Sequence, residues 1–431
     1  MSPLRVDALG RDGVRTLAEA LTRAAPGERI ELAAGRHELW ETLVISHDLS
    51  IVAAGDAIVA GAGPLLVVEG GRVVLRGLAF EMETDQGDAA ALTVKGGELL
   101  VDRCRIRSTA GGIAAEGACL LGVRDTDIDR TGDTAIVYAY GARGSVEGTT
   151  IANCRTVGIM AVGGRSDPRI RNNQIQRTGM FGIQAVRGAA PVIEGNVIED
   201  TVGSGLAFDD RDTAVTVRSN TIRGSRAHGI EIGQCRACVV EDNEIVAAQF
   251  SGISIYGGAR GEVARNRISE AGGNGVQIIG GANAHLAGNH VEGSGNYGVV
   301  VAQLGSSADL EANVVSGSPI LVLIDDGAAA TVRGNELEAS GNGVVVQGDG
   351  STAEITGNRL RMNSPKTPAV LVKHGASGSA TGNEVWGDEH LALVFLRGAR
   401  LVASGNTVHV DGAPRPAGVL EILNEASLRT T

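Results

Sequence analysis

The feature that most limits how this chain can fold is an internal repeat. Asn, any residue, then Ile, Val or Leu recurs at Asn173, Asn196, Asn220, Asn243, Asn266, Asn289, Asn313, Asn335, Asn358, Asn383 and Asn406, at intervals of 22 to 25 residues. A second motif keeps step with it: Gly, an aliphatic, any residue and a second, mostly aliphatic residue. Examples are Gly158-Ile-Met-Ala, Gly182-Ile-Gln-Ala, Gly205-Leu-Ala-Phe, Gly229-Ile-Glu-Ile, Gly252-Ile-Ser-Ile, Gly275-Val-Gln-Ile, Gly298-Val-Val-Val and Gly343-Val-Val-Val. Weaker copies without the Asn lead back through Thr150, Asp127 and Cys104. A unit this short cannot bury a core alone, so successive units must stack.

Within each unit the pattern is two or three short strands of period two, broken by Gly-, Asn- and Asp-rich bends, as in Val263-Ala-Arg-Asn-Arg-Ile-Ser before Ala271-Gly-Gly-Asn. Composition agrees. The chain has 63 Gly in 431 residues, about twice the usual share of roughly 7%, and the excess falls at strand starts and bends. Aromatics are 3% and hydrophobics 43%, so the core is built of thin layers of Val, Ile, Leu and Ala. Asn suits a bend because it tolerates left-handed backbone and bonds neighbouring main chain. Stacked in register, such residues can bond one another up a column.

This pattern resembles the right-handed parallel β-helix, an architecture shared by pectate lyases, polygalacturonases, alginate epimerases and other carbohydrate-binding and sugar-hydrolase-like proteins. The resemblance covers about residues 46–412. It implies an all-β, single-stranded right-handed parallel β-helix of about 14 turns, about 23 residues each, with a short N-terminal helical cap. The expected division is 1–45, a cap with an amphipathic helix; 46–412, the β-helix; and 413–431, a C-terminal cap or tail. Thr16-Leu-Ala-Glu19 is a capping-box pattern, Val14, Leu17, Ala18 and Leu21 share one helical face, and Ala25-Pro-Gly stops the helix. Ala417-Gly-Val-Leu-Glu-Ile-Leu reads as a last strand or short helix covering the far end.

Net charge is −12, from 38 basic and 50 acidic residues, which argues against nonspecific nucleic-acid binding. No apolar run is long enough for a membrane helix, and the first 25 residues hold no signal-like stretch. With Met1 as the native start, the expectation is a cytoplasmic protein. The five cysteines, Cys104, Cys119, Cys154, Cys235 and Cys238, are odd in number and irregularly placed, compatible with reduced thiols. Cys235-Arg-Ala-Cys238 supplies only half of a closed zinc site, and no metal or cofactor is expected.

In the Gly-led strand, alternation sends two columns outward. One reads Met160, Gln184, Ala207, Glu231, Ser254, Gln277, Val300; the other reads Val162, Val186, Asp209, Gly233, Tyr256, Ile279, Ala302. A polar island of Gln184, Asp209, Glu231, Ser254, Tyr256 and Gln277 interrupts outward-facing aliphatics. Asp210 cannot continue the strand, because an unpaired carboxylate would enter the core. Asp209 to Asp212 therefore form a charged bend, with Arg187 at the equivalent bend one coil earlier as an anion-pairing group.

A narrower resemblance lies at Asp209-Asp210 and Ala227-His228-Gly229, 18 to 19 residues apart, similar to the Asp-Asp and Gly-His-Gly segments of polygalacturonases. It implies Asp209 or Asp210 as general acid, other carboxylates including Glu231 as water-activating base, and His228 as a positioning group. The family's flanking Asn-Thr-Asp and Arg-Ile-Lys are replaced here by Gln184 with Arg187 and by Ser254-Ile-Tyr256. Asp167-Pro-Arg-Ile, a partial echo of the alginate epimerases' Asp-Pro-His-Asp, reads as a turn.

These residues favour an enzyme over a binding module. The expected catalytic set is Asp209, Asp210, His228 and Glu231; the expected substrate-binding set is Gln184, Arg187, Asp212, Ser254, Tyr256 and Gln277. The substrate would be a carbohydrate or other polar ligand, turned over by acid/base chemistry of hydrolase, lyase or epimerase type. The alternatives are an intracellular isomerase or cyclase of a small metabolite or peptide, and a noncatalytic protein- or glycan-binding scaffold. The outward aliphatics Val162, Val186, Ile279, Val300 and Ala302 would mark an apolar stripe suited to a protein contact or a homo-oligomer.

Overall fold

Strands one coil apart pair in parallel with little slippage, and that pairing builds the fold. In a computed structural model, which describes residues 3–7, 13–396, 398–410 and 412–422, the chain is an all-β right-handed parallel solenoid of about 18 turns among those residues. It divides into two compact units, Met1–Thr216 and Val217–Thr431. In the first, Ile159–Val162 pairs with Ile183–Val186, placing Met160 opposite Gln184 and Val162 opposite Val186. In the second, Ile230–Gly233 pairs with Ile253–Tyr256, placing Glu231 opposite Ser254 and Gly233 opposite Tyr256. Ser254 stands opposite Gln277 on the next rung.

The Asn positions form a buried ladder. The Asn289 side-chain oxygen accepts from the backbone N–H and the amide of Asn266, both at 3.0 Å. The Asn289 amide in turn donates to Val263 O at 2.8 Å and to Asn313 Oδ1 at 2.9 Å. The same linkage runs from Asn173 to Asn196 in the first unit. In the second it runs from Asn220 through Asn406. Each Asn thus satisfies backbone groups that a tight corner would otherwise leave unpaired in a dry interior.

The repeat extends further upstream than the Asn marker, which is why about 18 turns replace the expected 14. Before Asn173 a hydroxyl takes over as corner acceptor: Thr149 N–H still donates to Asn173 Oδ1 at 3.0 Å, but Thr126 N–H donates to Thr149 Oγ1 at 3.4 Å and Cys104 N–H to Thr126 Oγ1 at 3.3 Å. The weak copies therefore pass through Thr149 and Thr126, one residue before the expected Thr150 and Asp127. Coil strands are already present at Glu28–Leu39 and Leu49–Gly61.

The N-terminal helix spans Leu17–Arg23, capped by Thr16 Oγ1 accepting from Glu19 N–H. It buries Leu17 and Ala20, with Ala18 and Leu21 half-buried. Val14 lies outside the helix, buried against a bridge to Val6. At the other end Val419–Ile422 is a strand paired with Leu393–Leu396; the rest of the expected C-terminal cap, 423–431, lies outside the described residues. Among the described residues, no helix is long and apolar enough to cross a membrane.

Inward positions are filled by aliphatics such as Ile253 and Ile255, both 0% exposed. Gly leads these strands because the next coil leaves no room for more: a Cβ on Gly252 would sit 2.3 Å from Ile268 Cγ2 and 2.8 Å from Gly275 O. The expected exposed aliphatic stripe is corrected. Val162 and Val300 are buried, and Val186, Ile279 and Ala302 are half-buried, because side chains stacked in register cover one another. In the second unit Val300 continues into Leu323, Val345, Leu371 and Val394, one buried cluster on the same column. All five cysteines are buried free thiols; burial pushes the Cys104 and Cys154 thiols up to about 11.

Replacing Asn289 with Ala leaves the Asn266 donors and Val263 O unpaired in the interior. The expected loss is about 2–4 kcal/mol of unfolding free energy, measured by chemical denaturation. A loss below about 0.5 kcal/mol, the range of an ordinary surface substitution, would contradict the ladder's role.

Candidate functional site

The ten residues expected to form a site fall into two groups, one in each unit.

In the first unit, the strand Leu206–Phe208 ends before Asp209, and Asp210 turns the chain with φ +81° and an exposed side chain. Asp209 Oδ1 accepts from Asp210 N–H at 2.8 Å, and Asp210 Oδ2 accepts from Arg187 N–H at 2.8 Å. Both carboxylates thus spend an oxygen holding turn backbone, the usual work of Asp at a bend. Arg187 lies at the equivalent bend, also left-handed at φ +57°, and its Nη1 is 3.5 Å from the Tyr140 hydroxyl. Asp212 is exposed and lies against Gly188. Gln184 is half-buried on the outward face between Met160 and Ala207.

In the second unit, the Tyr256 hydroxyl donates to Glu231 Oε1 at 2.9 Å. Parallel register alone would set Tyr256 beside Gly233, and the ring reaches Glu231 by lying across that glycine. A Cβ on Gly233 would meet Tyr256 Cζ at 2.6 Å and Oη at 2.7 Å. Gly233 is a space requirement here, since its φ is not in the left-handed range. Ser254, between the two rungs' functional groups, is buried at 2% exposure.

His228 occupies the bend that precedes the strand. Its Nδ1 accepts from Ser251 N–H at 3.2 Å, which leaves the proton of the neutral ring on Nε2 and makes that nitrogen a donor. Burial pushes the imidazole below its ordinary value, partly opposed by the negative charge of Glu231. The ring also faces Phe250, with centroids 5.8 Å apart, and Phe250 is 53% exposed. The Gln277 side-chain oxygen accepts from the Asn274 amide at 2.7 Å and from the Ser251 hydroxyl at 3.4 Å, while Asn274 Oδ1 is buried without a partner.

The second unit thus brings Glu231 and Tyr256 into contact and places His228 and Gln277 around Ser251. Sequence reading missed Phe250, Ser251, Asn274 and the seating role of Gly233. Phe250 had a readable signal: Gly203 and Gly273 occupy the equivalent bend position on other coils, so an aromatic there is conspicuous. The other three depend on reach between rungs, which the repeat pattern does not encode.

A family profile described as the right-handed beta helix region matches residues 84–222 and 204–360, together well over half of the chain. The chain belongs to this family. No curated protein matches the β-helix in sequence. Among solved structures, it is similar to a periplasmic alginate epimerase (14% identity, covering 91% of this chain and 84% of that one, TM-score 0.43). It is also similar to the A-module of the Azotobacter vinelandii mannuronan C-5 epimerase (10% identity, covering 94% and 93%, TM-score 0.40). A third is the catalytic unit of a GH87 alpha-1,3-glucanase from Streptomyces thermodiastaticus (14% identity, covering 93% and 67%, TM-score 0.43). At these identities the likeness is one of fold. The cytoplasmic expectation is corrected: it rested on the first residues alone, and a protein of this fold described as periplasmic stands among those similar to the chain.

Two outcomes are expected. Gly233→Ala should fold normally while its new methyl group pushes the Tyr256 ring away, so that a crystal structure shows Oη more than about 3.5 Å from Glu231, beyond hydrogen-bond reach. His228 titrates lower in the folded chain than the ordinary 6.5, so the unfolded state binds its proton first as pH falls. The stability contributed there is present above pH 6.5 and lost below it; thermal unfolding of His228→Gln should decline less steeply between about pH 6.5 and 5 than that of the parent.

Proposed function

We propose that this β-helix is a carbohydrate-active enzyme that works by acid/base chemistry at the Glu231–Tyr256 pair. The observation that carries the reading is the phenol donating to a carboxylate at 2.9 Å, in a polar stretch of a column that later rungs fill with aliphatics. Such a pair is a two-member proton relay: the phenol takes a proton from the substrate as it hands its own to Glu231, and the reverse transfer delivers a proton to the leaving glycosidic oxygen of an elimination, which restores the pair. His228, neutral with its proton on Nε2, is a hydrogen-bond donor for charge developing on a substrate oxygen. The half-exposed Phe250 and the Gln277–Asn274 amides supply an apolar plate and polar partners, the mixture that a polyhydroxylated ligand requires.

Within the second unit, the outward columns at this site carry one carboxylate, Glu231, where inverting or retaining hydrolysis uses two. That supports proton abstraction of lyase type over hydrolysis; epimerisation would require a second donor to reprotonate the carbon from the opposite face. Asp209 and Asp210 are turn-holding groups in this reading.

The test is a panel of acidic and neutral polysaccharides, with unsaturated products followed by ultraviolet absorbance, epimerisation by NMR, and hydrolysis by reducing ends. Glu231→Gln and Tyr256→Phe should each lower kcat by about 100-fold or more, with circular dichroism unchanged. Asp209→Asn should retain most of the parent rate. Full activity in both Glu231→Gln and Tyr256→Phe, or a loss in Asp209→Asn as large as theirs, would overturn the reading.

A further inference from the structure

Two tyrosines two residues apart in the first unit have opposite surroundings. Tyr138 is fully buried and its hydroxyl donates to Leu121 O at 2.9 Å. Tyr140, just past the strand Ile136–Ala139, is 63% exposed and adopts φ +51°. Left-handed backbone is strained for an aromatic residue, and the next coil solves the same bend with Gly163 at φ +85°. The bend therefore does not need a tyrosine. The bend is left-handed on the following coils too, at Arg187 (φ +57°) and Asp210 (φ +81°), so the backbone conformation belongs to the fold, and what sets this coil apart is the exposed aromatic ring placed there.

The ring has a seat. A Cβ on Gly163 would lie 2.5 Å from Tyr140 Cδ1, so the ring rests across the bare glycine backbone. Its rim bears the hydroxyl, 3.5 Å from Arg187 Nη1, too long to be the reason for the placement. Backbone bonding fixes the ring's root: Tyr140 N–H donates to Val162 O at 2.8 Å, and Gly141 N–H donates to Ser166 Oγ at 3.1 Å.

We propose that Tyr140, seated on Gly163 beside Arg187, is a stacking platform for one pyranose ring of a glycan, a binding subsite of the first unit. The proposal rests on the carbohydrate reading above and adds a recognition residue to it. A rigid ring with an open apolar face and a polar edge complements a sugar's C–H face and its ring substituents. The surroundings argue against other occupants. The Arg187 guanidinium at the ring's edge puts a charge beside the tyrosine, whereas the centre of a protein interface is depleted in charge. The chain's net charge of −12 disfavours a nucleic-acid strand. Arg187 would donate to a sugar hydroxyl or to a uronate carboxylate, two sources of the same contact.

The experiment is affinity gel electrophoresis of the full chain in gels containing polygalacturonate or dextran. Tyr140→Gly suits the left-handed bend and should fold at least as stably as the parent, yet bind about tenfold or more weakly in whichever gel retards the parent. Tyr140→Phe keeps the plate and should retain binding. Arg187→Ala assigns the edge contact: weakening confined to polygalacturonate identifies a carboxylate, and weakening in dextran a hydroxyl. Parent-like retardation of Tyr140→Gly, or no retardation of the parent in either gel, overturns the proposal. Its fate is separable from that of the catalytic reading. Glu231→Gln, expected to lose turnover, should still be retarded, and retardation that depends on Tyr140 without turnover of any polymer would sink the catalytic reading alone.

Discussion

Side chains in this protein interact mainly with those one coil away, at the strand spacing of about 4.8 Å, and the buried asparagine ladder holds that register. Each amide bonds its neighbour and the main chain together, so a slip of one residue would break every corner at once and turn the core aliphatics outward. Columns of equivalent residues follow directly. So does the glycine at the head of the repeated strand, where the approach of the next coil excludes even a methyl group.

Function in such a scaffold must come from residues that break a column, because the columns themselves are spent on stability. Val300, Leu323, Val345, Leu371 and Val394 show an unbroken outward column, stacked and buried. Glu231, Ser254 and Gln277 occupy earlier rungs of that same column in the second unit, and Tyr256 leans back across Gly233 to reach the first of them. The two tyrosines at issue, Tyr140 and Tyr256, use one device: an aromatic ring placed on a neighbouring coil whose residue is glycine. Glycine thus has two roles in this chain, close packing of coils and the seating of rings.

The fold was legible because a parallel coil repeats its hydrogen bonding, and repeated bonding selects repeated residues. The upstream coils were partly hidden because Thr126 and Thr149 hydroxyls replace the asparagine oxygen, a substitution that preserves the bond and erases the motif. Alternation set Glu231, Ser254 and Gln277 at one register position on successive rungs, as the strand pairing does, although Ser254 is buried there. It could not show that Tyr256 reaches back a rung, that Ser251 N–H fixes the His228 tautomer, or that Val162 and Val300 are covered by their neighbours. Those facts depend on side-chain reach and stacking, which vary from coil to coil while the period stays constant.

Acid/base chemistry at Glu231 and Tyr256 is the proposal on which the functional reading depends. The most direct measurement is a crystal structure of Glu231→Gln with an oligosaccharide of a polymer that the parent protein consumes. The account predicts a sugar atom within hydrogen-bond reach of Tyr256 Oη, about 3 Å. A sugar bound at full occupancy with every atom more than about 10 Å from that oxygen, too far for proton transfer, would contradict it.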